Sequence, residues 1–149
     1  VVQEDWKALG IEVTVTPLDF RAVLDRVLNT RQFDSVLLGL GGGDADPNPE
    51  LNVWLSSGEM HLWNPKQTSP VTAWEKELDE VMRAQITAMK PGERRRLYDR
   101  AQAIVAREEP MIFLASPHVL AAQSGRVGHF RPAVLDHQTL WNAAELYLR

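Results

Sequence analysis

The segment over residues 33–58 constrains this chain most, because an apolar run, SVLLGL, passes without a break into a glycine-rich, acidic, proline-stiffened loop, GGGDADPNP. A short apolar run that ends in glycines reads as a buried strand delivering its backbone to a close approach. Ahead of it, IEVTVT over residues 11–16 alternates apolar and polar side chains, as a half-buried strand does. Between the two, Phe20, Val23, Leu24, Val27 and Leu28 recur at helical spacing behind Asp19, a favoured N-cap residue. Strand, helix and strand in that order predict a βαβ unit and an α/β fold. The loop at residues 41–46 then lies at the carboxyl end of the second strand, where open parallel sheets bind their ligands.

A length of 149 residues suits one domain with a sizeable core. The chain has no cysteine, which excludes a disulfide scaffold, a thiol nucleophile and a Cys-ligated metal, and leaves the compartment open. With a formal net charge of −4 and acidic and basic residues interleaved, there is no basic stripe, so nucleic acid is not an expected partner. No apolar run approaches the ~20 residues that cross a bilayer, and direct membrane insertion is not expected. The start, VVQEDWKALG, lacks the pattern of a signal peptide. It reads instead as the last turns of a helix, with Val2, Trp6 and Leu9 on one face and Gly10 closing it, as expected of a piece of a longer protein.

Beyond the loop, residues 54–69 hold Gly58, Asn64 and Pro65 and show no clean period, which predicts irregular structure. Trp74, Leu78, Val81, Met82, Ile86 and Met89 then form a helical stripe, and the acidic EKELDE run sits where a helix dipole favours it. A second helix follows Pro91, with Leu97, Tyr98, Ala101, Ile104 and Val105 on its apolar face and Pro110 as its stop. The KPG link between them predicts an antiparallel pair. MIFLA at residues 111–115 and HVLAAQ at 118–123 read as strands, ended by the turn signal SGR.

The spacing of Asp44, Asp46 and Asn48 imitates the first three ligand positions of a calcium loop. Pro49 stands where that loop needs its glycine and Leu55 where it needs a bidentate glutamate, so no metal site is expected. Gly39 and Gly41 begin a GxG pattern, but Asp44 takes the third glycine's place and its charge would repel a phosphate. Two readings of the loop remain. Its carboxylates and bare backbone suit a cationic group such as a peptide amine, or they form a solvated turn in which the aspartates cap local amides. The candidate ligand-binding residues are Gly41, Gly42, Gly43, Asp44, Asp46 and Asn48. Trp54 and Trp63 follow closely and read either as stacking walls of a pocket or as core aromatics, while Trp6, Trp74 and Trp141 read as packing.

His61, His118, His129 and His137 share no metal-ligand spacing, and neither GxSxG nor a Walker lysine motif occurs. No catalytic residue and no cofactor is expected, and the chain does not read as an enzyme. Arg94, Arg95 and Arg96, in ERRRLYDR, read as a solvated helix face.

Taken together, LGIEVTVTPLDF, FDSVLLGLGGGDADPNP, the long block RRRLYDRAQAIVAREEPMIFLASPHVLAAQSGRVGHFRP and the ending WNAAELYL resemble the C-terminal part of the family 5 extracellular solute-binding proteins, the dipeptide, oligopeptide and nickel receptors of ABC importers. The resemblance runs the whole length of the chain. It implies a two-lobed, type II periplasmic-binding-protein fold that closes on a small-molecule or peptide ligand and docks to an ABC permease, in a periplasmic or extracellular location. Residues 1–126 would belong to the second lobe, and residues 127–149 would return toward the first. By position, the acidic residue that holds a peptide's amine is Asp46, with Asp44 as its neighbour. Leu40 stands where many members carry an aromatic residue, so a dipeptide is not implied as the ligand. Two other functions compete: a cytosolic ligand-sensing domain of a transcriptional regulator, and a metal-dependent hydrolase built on the aspartate loop.

Overall fold

Helix α1, Val2–Ala8, closes where the sequence places a glycine with φ +81°. The Gly10 N–H donates to the Lys7 carbonyl (3.0 Å) and the Ile11 N–H to the Trp6 carbonyl (2.9 Å), the paired bonds of a Schellman ending. The computed structural model describes residues 1–41, 46, 48–116, 118, 120–133 and 140–149. These divide into two units, Val1–Leu38 and Gly39–Arg149.

In the first unit, helix α2, Phe20–Asp25, begins as its sequence predicts: the Asp19 carboxylate accepts the Ala22 N–H at 3.0 Å. The helix passes into a π-helical turn, Arg26–Thr30, and stops at Arg31, whose φ of 53° is left-handed. Val27 is the buried residue of this turn.

In the second unit, a 3-10 turn at Asn48–Glu50 leads into the short helix α3, Leu51–Trp54. Helix α4, Ala73–Thr87, opens with a capping box, in which Thr72 accepts the Glu75 N–H while the Glu75 carboxylate accepts the Thr72 N–H. Helix α5, Pro91–Glu108, starts on a proline that has no N–H to leave unpaired. As expected, α4 and α5 pack together, and Leu78, Val81 and Met82 of one meet Ala101, Ile104 and Val105 of the other. Each Leu, Ile, Val or Met among them contributes roughly 1.5–3 kcal/mol on full burial. Trp54, Trp74, Leu97 and Tyr98 border this core.

The strand readings are corrected. Among the described residues the chain is mainly helical, and its one sheet is a two-stranded antiparallel pair, β1 (Val127–Gly128) with β2 (Tyr147–Leu148), in the register Val127 to Leu148 and Gly128 to Tyr147. The segments at 11–16, 35–40 and 111–115, and the described part of 118–123, are not strands, so the βαβ unit of the predicted α/β fold is not formed. The physical reason is that a helix supplies its own hydrogen bonds, whereas a strand needs a second segment to close its ladder. Their apolar side chains, such as Leu37, Ile112 and Leu120, are exposed. Trp141, read as packing, is also exposed.

Candidate functional site

Asp46 is tied down by an arginine 48 positions further along the chain. Asn48 opens the 3-10 turn, and its N–H donates to Asp46 Oδ1 at 2.9 Å, so Asp46 caps the turn that follows it. Arg94, in the first turns of α5, donates through Nη1 to Asp46 Oδ2 (2.9 Å) and through Nη2 to Asp46 Oδ1 (2.6 Å), a bidentate pair. The Arg94 guanidinium and, after it, the Asn48 N–H hold the Asp46 carboxyl below its ordinary range. Gln85, wholly buried near the end of α4, accepts from Arg94 Nε (3.1 Å) and donates to Asn48 Oδ1 (2.8 Å). Arg94 Nη2 also reaches Asn48 Oδ1 at 3.1 Å, which closes the network.

Asp46 is not consumed by these bonds. An ionised carboxylate has about four lone-pair sites. Among the described residues its donors are two guanidinium nitrogens and one backbone N–H, and 44% of its side chain faces solvent. Among the described residues, one acceptor direction on Oδ2 has no donor, which suits a ligand N–H. The pair as a whole is close to neutral, so an incoming cation meets a hydrogen-bond acceptor rather than an unbalanced charge.

The second polar centre lies where segment 53–72 crosses α4. Glu75 Oε2 accepts the Val71 N–H, the Thr72 N–H and the Thr72 hydroxyl, each at 3.0 Å. Glu75 Oε1 lies 3.3 Å from both His61 Nε2 and Trp63 Nε1, while His61 Nδ1 faces the Val53 carbonyl at 3.3 Å. Burial would raise the Glu75 carboxyl, but the bonds from Thr72, Val71 and His61 outweigh it and hold the group at about 2. One turn further on, Asp79 accepts the Ser56 N–H (2.7 Å) and the Ser56 hydroxyl (2.8 Å). The irregular segment is thus held by two carboxylates on the buried face of α4, in place of secondary structure of its own.

This separates the predicted site residues. Asp46 and Asn48 come together, on Arg94 and Gln85. Trp63 does not join them: its ring centroid lies 3.8 Å from that of His61, the planes tilted by 52°, and 6.3 Å from Trp54 and 6.2 Å from Trp74, a packed aromatic cluster anchored on Glu75. The recess that Trp54 borders with Leu78, Met82 and Tyr98 is about 20 Å³, room for roughly one water and not for a peptide side chain. Trp54 packs against the α4–α5 core and Trp63 against His61. Gly41 is exposed, with open space where a side chain would begin. Gly42, Gly43 and Asp44 lie outside the described residues.

Arg94 and Gln85 are the residues that sequence reasoning missed. Gln85 carries a faint signal, since it falls on the same face of α4 as Leu78 and Met82, where a polar side chain needs a partner. Arg94 carries none that distinguishes it from Arg95 and Arg96.

Among the described residues no helix is long and apolar enough to cross a membrane, and no three His, Asp or Glu side chains are grouped to hold a metal ion. No family model matches the chain, and no solved structure does. Two curated proteins are similar to it. A probable ABC transporter periplasmic-binding protein, SapA of Escherichia coli strain K12, is 28% identical over 116 residues, covering 78% of this chain and 20% of that protein. Di/tripeptide-binding protein 4 of Pseudomonas aeruginosa strain UCBPP-PA14 is 29% identical over 133 residues, covering 85% of this chain and 23% of that protein. The chain thus spans between a fifth and a quarter of the length of these relatives, both of which are named as binding proteins.

Proposed function

Proceeding from distant homology to the family 5 solute-binding proteins, we propose that this chain is a segment of the solute-binding component of an ABC importer. Its work is to bind, not to catalyse, and its location is periplasmic or extracellular. The chain supplies one wall of a cleft in a type II periplasmic-binding-protein fold, in which the loop around Asp46 and Asn48 faces a peptide-like or other small polar ligand. Residues 1–126 belong to the lobe that carries the loop, and residues 127–149 return to the lobe that completes the cleft. The exposed apolar segments at 11–16, 35–40 and 111–115 find ladder partners in the complete protein, which would account for strand-like sequences that stay unpaired here. A cleft closed on both sides excludes water from its ligand, which half a cleft does not, and the closed complex then docks to the permease.

The observation that carries this reading is the state of Asp46: fixed in place by a bidentate arginine, partly exposed and, among the described residues, with one acceptor direction unfilled. A peptide amine fits that direction as a donor. A thermal-shift series on the complete protein tests it with trialanine, longer alanine peptides and N-acetyl-trialanine. A ligand that binds only the native state raises the melting temperature. The free-amine peptides should raise it and the acetylated peptide should raise it less; no shift with any peptide would contradict the proposal.

A further inference from the structure

Arg94 is more thoroughly fixed than a surface arginine requires. Four of its five N–H donors are engaged, by Asp46 twice, by Asn48 and by Gln85. The Gln85 amide that orients it is wholly buried and donates one N–H to Asn48, so the guanidinium is set from α4 as well as from the Asp46 carboxylate. Asp46 and Arg94 stand 48 positions apart in the chain, so the contact is a tertiary clamp and not local helix chemistry. A lysine at this position would offer a point charge without the fork that spans both Asp46 oxygens and still reaches Gln85.

We propose that Arg94 is a positioning residue of the ligand loop: oriented by Gln85, it fixes Asp46 and neutralises it, so that Asp46 takes a ligand's N–H donor by hydrogen bonding and not by net charge. The proposal rests on the solute-binding reading and adds the residue that sets how the loop recognises its ligand. Two consequences follow. Ligand affinity should depend only weakly on ionic strength while Arg94 is present, because an ion pair of no net charge offers little for salt to screen. Removing the guanidinium should free the loop and leave an uncompensated carboxylate, which makes amine binding salt-dependent.

The test uses the complete protein and its Arg94→Gln, Arg94→Lys and Asp46→Asn variants. Hydrogen exchange of the peptide covering residues 46–54 reports the clamp, and exchange over residues 73–87 reports whether α4 remains folded. Calorimetric titration with trialanine at about 20 mM and about 300 mM salt reports the charge. Arg94→Gln and Asp46→Asn should each speed exchange at 46–54 by about tenfold or more with α4 unchanged. Arg94→Lys should not restore slow exchange. Trialanine affinity should change less than about twofold between the two salts in the wild type and several-fold in Arg94→Gln. Unchanged exchange at 46–54 in Arg94→Gln, or tighter trialanine binding with the same salt dependence as the wild type, would overturn the proposal. If the wild type does not bind trialanine at all, the solute-binding reading fails on this peptide, and the exchange measurement still decides whether Arg94 holds the loop.

Discussion

Glu75 Oε1 lies 3.3 Å from His61 Nε2, and both side chains are buried. This contact links the first turn of α4 to a segment without regular structure, and the other oxygen of the same carboxylate closes the α4 capping box. One side chain therefore starts the helix and docks the loop that precedes it.

Replacing that carboxylate should be costly. Glu75→Gln keeps the size but turns an N–H₂ group toward some of the donors that Glu75 now accepts, leaving buried donors unpaired. The expected loss is about 3 kcal/mol, read as a lower denaturation midpoint at constant slope. A loss within about 0.5 kcal/mol would show that the cluster does not hold the segment.

Acid should weaken the second unit in a defined window. The Glu75 carboxyl is held at about 2, below its ordinary 4.5, by bonds that favour the ionised form. A depressed folded-state value means that the stabilisation is whole above about pH 4.5 and is lost as the pH falls toward 2, about 3 kcal/mol over the window. Asp46 and Glu77 are lowered too, by Arg94 and by Arg100, so the informative quantity is a difference between proteins. The stability gap between wild type and Glu75→Gln should be constant from pH 7 to 5 and narrow below pH 4.5.

Gly58 is fixed by space. A Cβ there would stand 2.0 Å from the Asn52 carbonyl oxygen, which is backbone and already accepts the Met60 N–H at 3.0 Å. Gly58→Ala should therefore destabilise by about 2 kcal/mol or more, while the exposed neighbour substitution Ser57→Ala stays within about 0.5 kcal/mol.

What the sequence made legible follows from which bonds each element needs. The α4 and α5 stripes were readable because a helix closes its own ladder and needs only one apolar face, which Leu78, Met82, Ala101 and Ile104 declare. Asp19 and Gly10 were readable because caps are local. The T-x-x-E spacing of Thr72 and Glu75 marks the start of α4 equally well, although apolar periodicity does not use it. The segments at 11–16 and 35–40 carry strand-like patterns, and pattern reports the face a segment would bury without supplying the partner it would bury it against. The clamp on Asp46 was hidden for a related reason: three consecutive arginines look alike in sequence, and only the fold brings Gln85 beneath one of them.

The most direct test of the account is a crystal structure of the complete protein with trialanine bound. The peptide's amine should lie about 3 Å from Asp46 Oδ2, with the Arg94 pair intact and the Trp54–Trp63 cluster unchanged. A peptide seated away from the loop, or reaching Asp46 only after Arg94 has left it, would contradict the account.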